Sequence, residues 1–159
     1  MLTIRPATID DVPLLRKFIY ELAKFEKEPD QVRITEAELA RVGFGPAPKF
    51  RALVAEWSGE AAGFALFFDY FSTWRGLGLH LEDLFVRPEF RGRGIGKALL
   101  ARIARIAEQE NRVLIRCEVL NWNQPAIEMY KSLGADLLED WRPFLLEGEA
   151  LRKLAAESS

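Results

Sequence analysis

Between an apolar strand and an amphipathic helix, this chain carries Arg91-Gly92-Arg93-Gly94-Ile95-Gly96. The preceding residues, Leu81-Glu82-Asp83-Leu84-Phe85-Val86, read as a strand that Arg87-Pro88 closes. Those that follow, Lys97 to Glu110, place Leu99, Leu100, Ile103, Ile106 and Ala107 at helical spacing. A strand, a glycine turn and a helix in direct succession commit the chain to a layered α/β fold, because the helix must pack back on the sheet it leaves. The same unit fixes a local chemistry. The first N–H groups of a helix have no partner within it, and they sit at the positive end of its dipole. Three glycines remove the side chains that would keep an anion from the backbone, and Arg91 and Arg93 add charge. The loop from Arg91 to Gly96, with Lys97 opening the helix, reads as a seat for a pyrophosphate.

Exclusion narrows which pyrophosphate it is. A P-loop that ended on Gly96-Lys97 would need a glycine where Arg91 stands and a hydroxyl where Ala98 stands. The third glycine of a dinucleotide fingerprint would fall on Lys97 or on Leu99. What remains is Arg-x-x-Gly-x-Gly after an apolar strand. On these residues the chain resembles the GNAT superfamily of N-acetyltransferases. The resemblance implies that the loop holds the pyrophosphate of acetyl-coenzyme A, the co-substrate.

Composition sets outer bounds. The chain has 159 residues, enough for one domain with one substantial core, and we expect residues 1–159 to form a single domain. Its net charge of −2 argues against a nucleic-acid partner held through phosphates and suits a cationic substrate. The one cysteine, Cys117, has no internal disulfide partner, and with the one histidine, His80, it cannot build a metal cluster, so no metal is expected. The amino terminus has no charged segment followed by an apolar run, and Ala61 to Phe68 is far shorter than the ~20 residues that span a bilayer. The expectation is a soluble, cytoplasmic protein with no membrane partner.

The remaining elements follow from periodicity and punctuation. Leu2 to Arg5 reads as a strand ended by Pro6. Thr8 or Asp10 caps a helix from Asp11 to Phe25, and Thr35 opens a second helix with capping-box spacing to Glu38. Phe50 to Trp57 and Ala61 to Phe71 form a hairpin through Ser58-Gly59, and a turn over Thr73 to Gly78 leads into Leu79 to Val86. Val113 to Val119 reads as a central strand. A helix runs from Pro125 through Lys131 and stops at Gly134. Ala135 to Leu138 and Trp141 to Leu146 read as short strands, and Glu149 to Ala156 as a last helix. This order predicts a mixed, mostly antiparallel central sheet with helices on both faces, and a glycine loop between the fourth strand and its helix. It agrees with the GNAT fold along nearly the whole chain.

Acetyl transfer from a thioester to an amine needs three things: a proton acceptor for the ammonium, a hold on the carbonyl oxygen, and a proton donor for the thiolate. Asn123-Gln124-Pro125-Ala126-Ile127-Glu128-Met129-Tyr130 resembles the GNAT element in which an Asn contacts coenzyme A and a later Tyr protonates the sulfur. The resemblance therefore gives Asn123 and Ala126 to the coenzyme and the acid role to Tyr130. It also gives the backbone of Leu84, Phe85 and Val86 to the pantetheine arm. Of Glu82 and Asp83, strand alternation lets only one face a given site.

The run from Leu81 to Val86 is similar to the spermidine/spermine and thialysine acetyltransferases, as are Ile4 to Thr8, Glu21 to Glu26, Gly43 to Gly45, Leu53 to Glu56 and Trp141-Arg142. In that subfamily the first carboxylate of the strand faces the amine, which assigns the base to Glu82. The pair Phe25-Glu26 and Trp74 would contact the amine with it. Ser72 stands where polyamine-using members carry an acid, which favours a shorter amine. The family also implies a homodimer, to which the Trp141-to-Phe144 region would contribute. An acetyltransferase for another amine (an amino acid, a drug or a protein amino terminus) and a non-catalytic coenzyme A sensor remain as alternatives. The sequence leaves the particular amine open.

Overall fold

Hairpins lay down most of the sheet. In the computed structural model, which describes residues 1–158, β1 (Leu2–Pro6), β2 (Arg51–Trp57), β3 (Glu60–Ser72) and β4 (Gly76–Val86) are successive antiparallel neighbours, and β5 (Ile115–Cys117) joins β4 in parallel. Ser58 and Gly59 turn β2 into β3 with φ of 51° and 86°, the left-handed pair that tight hairpins require. The next turn is shorter than its sequence suggests. Ser72 pairs with Gly76, so β4 starts at Gly76 and the turn is left to Thr73, Trp74 and Arg75. The Ser72 hydroxyl accepts from the Trp74 and Arg75 N–H groups at 3.3 and 3.1 Å and holds that turn.

Helices cover both faces. Alternation along β2 and β3 sends Ala52, Val54, Phe64 and Leu66 to one side, where α1 (Val12–Phe25) and α2 (Glu36–Phe44) bury Val12, Leu15, Phe18 and Leu39. The Phe18 ring stacks on Phe64 at 5.3 Å and meets the edge of Phe85 at 6.3 Å. Leu53, Ala65 and Phe67 take the opposite side, where α3 (Ile95–Gln109) buries Ile95, Leu99, Ile103 and Ala107. Each fully buried aliphatic or aromatic side chain contributes about 1.5–3 kcal/mol. Ion pairs fasten the ends of elements. Arg87, just past β4, forks onto Glu21 of α1 at 2.9 and 3.2 Å, and Arg51 of β2 forks onto Glu110 at 2.6 and 2.9 Å, tying the sheet to the end of α3.

Met1–Leu120 is one compact unit, and the chain from Asn121 is a second. The second unit holds α4 (Gln124–Ser132) and α5 (Gly148–Ala155). Gly134, at φ 88°, ends α4 as expected: its N–H bonds the Lys131 carbonyl at 3.0 Å and the Ala135 N–H reaches back to Tyr130 at 3.1 Å.

Two expectations of regular structure are corrected here. Val113 to Val119 is not a central strand. The strand is Ile115–Cys117, in register with Leu79–Leu81 and extended by hydrogen bonds of Val113 and Leu114 to Leu77 and Leu79, and it lies at the edge of the sheet. Nor do 135–138 and 141–146 form strands. Alternating apolar residues make a strand only where a neighbour completes the ladder, and among the described residues neither segment has one. No helix among the described residues is long and apolar enough to cross a membrane.

Candidate active site

The glycine loop has the form its composition implies. A turn over Pro88–Phe90 brings the chain off β4, and Gly92 and Gly94 adopt φ of 75° and 76°, which side chains rarely tolerate. Gly94 is the residue just before α3. A Cβ at Gly92 or Gly94 would meet nothing within 4 Å, and one at Gly96 would meet only the Val86 side chain at 3.8 Å. The space in front of the loop is therefore open. Among the described residues, the N–H groups from Gly92 to Lys97 find no acceptor; Ala98 is the first to bond back, to Gly94 at 2.9 Å. Ile95 sends its side chain into the core, so only its N–H faces this space, whereas Lys97 is exposed. Arg91 is held in place: its Nε donates to the Val86 carbonyl at 2.9 Å, and its guanidinium lies 4.8 Å over the Phe25 ring. Arg93 lies over Trp57 at 5.1 Å. A set of unbonded N–H groups, two arginines and room for phosphate oxygens fit a pyrophosphate.

Strand β4 opens just before this loop. Its pairing with β5 stops at Leu81↔Cys117, whereas pairing with β3 continues through Leu84↔Ala65, Phe85↔Phe64 and Val86↔Gly63. Leu84, Phe85 and Val86 are thus paired on one edge only. Phe85 is buried, so it can serve a ligand only through its backbone. Gly63 permits the tight approach of β3, since a Cβ there would sit 2.4 Å from the Phe85 carbonyl oxygen.

The carboxylates are arranged differently from the alternation rule. Leu66 pairs with Asp83 and Phe67 with Leu81, so Glu82 is the extra residue of a β-bulge. The bulge cancels alternation locally, and Glu82 and Asp83 both line one cavity of about 420 Å³ on the α1 side of the sheet. Glu26, immediately after α1, lines the same cavity, beside Ile19, Leu22 and Ala23. Burial, and then the charges of Glu82 and Glu26, push the Asp83 carboxyl up to about 7. Burial, and then Glu82, also raise Glu26. On its strand side Glu82 is flanked by His80, whose Nε2 is 3.2 Å from Oε2 and whose ring stacks on Phe68 at 4.8 Å.

The structure therefore brings together Glu26, Glu82 and the glycine loop, with Phe25 under Arg91 linking the two regions. It does not bring Trp74 to the cavity. Trp74 sits 78% exposed in the β3–β4 turn, and Gly76 to Glu82 spans about 20 Å of strand at ~3.3 Å per residue. Ser72 shares that turn. Asn123, Ala126 and Tyr130 lie in the second unit. Asn123 caps α4, its Oδ1 accepting from the Ala126 N–H at 3.4 Å, and Ala126 and Tyr130 share one face of the helix, a turn apart. Asp83 is the residue sequence reasoning missed, because no local signal marks a bulge. Arg33 was missed as well. It lines the cavity from the segment between the first two helices, with nothing in the sequence to single it out.

Comparison with known proteins gives the same direction. The family model described as Acetyltransferase (GNAT) family matches residues 16–135. A thialysine N-epsilon-acetyltransferase of Bos taurus is 41% identical over 97% of both chains, and that of Caenorhabditis elegans is 36% identical over 94% of both. Among solved structures, an integron cassette protein from the mobile metagenome of V. cholerae superposes with a TM-score of 0.79 at 26% identity, covering 97% of each chain. An open mixed sheet, a glycine loop leading into a helix and full-length relatives of this kind agree: the chain belongs to the acetyltransferase (GNAT) family and is an N-acetyltransferase.

Proposed function

We propose that this chain transfers the acetyl group of acetyl-coenzyme A to a small primary amine, a thialysine-like amino acid or a short diamine, with both substrates bound together. The observation that carries the reading is the acidic cavity where Glu26, Glu82 and Asp83 meet, on the strand that runs into the glycine loop. The names of the full-length relatives support the amine class. The N–H groups of Gly92 to Lys97, with Arg91 and Arg93, hold the pyrophosphate, and the open edge of Leu84, Phe85 and Val86 takes the pantetheine arm. Acetyl-coenzyme A supplies the thioester. Glu26 and Glu82, with Phe25 at the rim, hold the ammonium. Its proton passes to Glu82, the freed nitrogen bonds to the acetyl carbon as the C–S bond breaks, and Tyr130 returns a proton to the thiolate. Asn123 and Ala126 position the coenzyme from α4.

A second reading of the base has one specific support. Asp83, held near 7 rather than in the ordinary carboxylate range, is matched to proton transfer at neutral pH. Glu82 would then hold the cation while Asp83 accepts the proton. Beyond the site, we read residues 1–159 as one N-acetyltransferase domain, cytoplasmic, without a metal, and homodimeric. The exposed Trp141, Phe144 and Leu145 supply apolar area for that contact. The test is release of the coenzyme thiol from acetyl-coenzyme A over a panel of diamines, polyamines and lysine analogues. Saturable, amine-dependent release is expected, and its absence across the panel, in a protein that still binds coenzyme A, would leave the sensor reading in its place.

A further inference from the structure

We infer that Arg33 selects substrates that carry a carboxylate at the end opposite the acetylated amine, so that the cavity is built for ω-amino acids rather than for diamines. This rests on the proposed acetyl transfer at the same cavity and adds its polarity. Four carboxylates line the cavity, Glu26, Glu28, Glu82 and Asp83, and Arg33 is its single basic residue. Arg5, Arg51, Arg87 and Arg112 are held in ion pairs elsewhere on the sheet and its flanks. Among the described residues, Arg33 is within salt-bridge distance of no carboxylate, although several share its cavity.

The segment that carries Arg33 is fixed. Arg16 of α1 donates from Nε to the Ile34 carbonyl at 2.8 Å, and Ile34 packs against the hydrophobic core. At its far end, Thr35 caps α2 and forms a reciprocal pair with Glu38. Arg33 is therefore presented at the cavity by an anchored backbone.

This charge arrangement discriminates by substrate type. A diamine or polyamine brings only positive charge and leaves the Arg33 guanidinium without a partner. An ω-amino acid brings both signs: its far amine meets Glu82 and Glu26, and its α-carboxylate meets Arg33. The guanidinium fork binds a planar carboxylate through two parallel N–H donors, which an ammonium cannot reproduce. The cleft is open to solvent and, at about 420 Å³, has room for a lysine-sized molecule.

The experiment compares amines that differ only by the carboxylate: L-lysine with cadaverine, and thialysine with bis(2-aminoethyl) sulfide. kcat/KM is measured for wild type, Arg33→Gln and Arg33→Lys. Wild type should prefer the amino acid of each pair. Arg33→Gln should lower the ratio of amino acid to diamine by roughly tenfold, the scale of one charge-assisted hydrogen bond at a site open to water, with the change in KM. Arg33→Lys, which keeps the charge but not the fork, should restore part of the ratio. A ratio that is the same in wild type and Arg33→Gln, or a wild-type preference for the diamine, overturns the inference and leaves acetyl transfer standing. If wild type acetylates no member of either pair, the functional reading fails, and this inference fails with it.

Discussion

Asp83 should make the folded chain less stable as pH rises, and removing its charge should reverse that loss. Its carboxyl lies against α1 beside Glu82 and Glu26, and burial with those charges moves it from 3.8 to about 7. Between these values the folded chain holds a proton that the unfolded chain has released. Stability is therefore full below about pH 4, falls as pH climbs through the window, and levels off above about 7. At ~1.4 kcal/mol for each pH unit, the full displacement corresponds to at most about 4 kcal/mol. Asp83 keeps partial contact with solvent, so about half of this, ~2 kcal/mol, is expected. Asp83→Asn preserves the shape and removes the ionisation. At pH 8.5 the variant should melt about 4–8 °C above wild type, with the gap closing toward pH 4.

The assay is thermal unfolding of both ligand-free proteins from pH 4 to pH 9. Asp11 provides an internal contrast of opposite sign. Its pairing with Arg5 holds it at about 2, so its contribution is present above about 3.8 and is lost only as pH falls toward 2. A difference between Asp83→Asn and wild type that stays constant from pH 4 to pH 9 would refute the placement of Asp83 in a desolvated, like-charged site.

Other changes test separate parts of the site. Gly96→Val should abolish coenzyme A binding in calorimetry while the fold survives, since its Cβ has room and, unlike Gly94, its backbone is not left-handed; retained affinity would remove the loop from the binding site. Tyr130→Phe should lower kcat by ~10²–10⁴ with coenzyme affinity nearly unchanged, as expected for loss of a general acid; wild-type turnover across pH would make the hydroxyl structural. For Glu82→Gln we expect lower kcat/KM with a steeper rise toward alkaline pH. If the profile is instead unaltered and Asp83→Asn shows that behaviour, Asp83 is the proton acceptor. Gly63→Ala should destabilise by about 1–3 kcal/mol, because its Cβ would press on the Phe85 carbonyl, and a neutral result in chemical denaturation would contradict the close β3–β4 approach.

The residues that could be read from sequence are those whose geometry is set by their own neighbours in the chain. The loop from Arg91 to Gly96 is one such case: left-handed glycines, a helix start and a strand end are all local events, and they recur in the structure where the spacing puts them. Thr35 with Glu38, and Gly134 after α4, are legible for the same reason. Glu82 is named through the family resemblance, but that Glu82 and Asp83 share one cavity is not legible. Their common orientation depends on β3, which sets Leu66 against Asp83 and Phe67 against Leu81, and one residue of register decides whether a carboxylate faces the cavity or the other side of the sheet. The segments 135–138 and 141–146 fail from the same cause, since an apolar pattern states a preference and the ladder partner decides. Arg33 is the extreme case: an unremarkable cation in a polar stretch, given its place by a hydrogen bond from Arg16, seventeen positions earlier, to the carbonyl next door. Strand pairing and anchoring between distant parts of the chain thus decide which charges meet at the cavity. The charge pattern of the cavity is read from those contacts, whereas the geometry of the glycine loop is already written in one short motif.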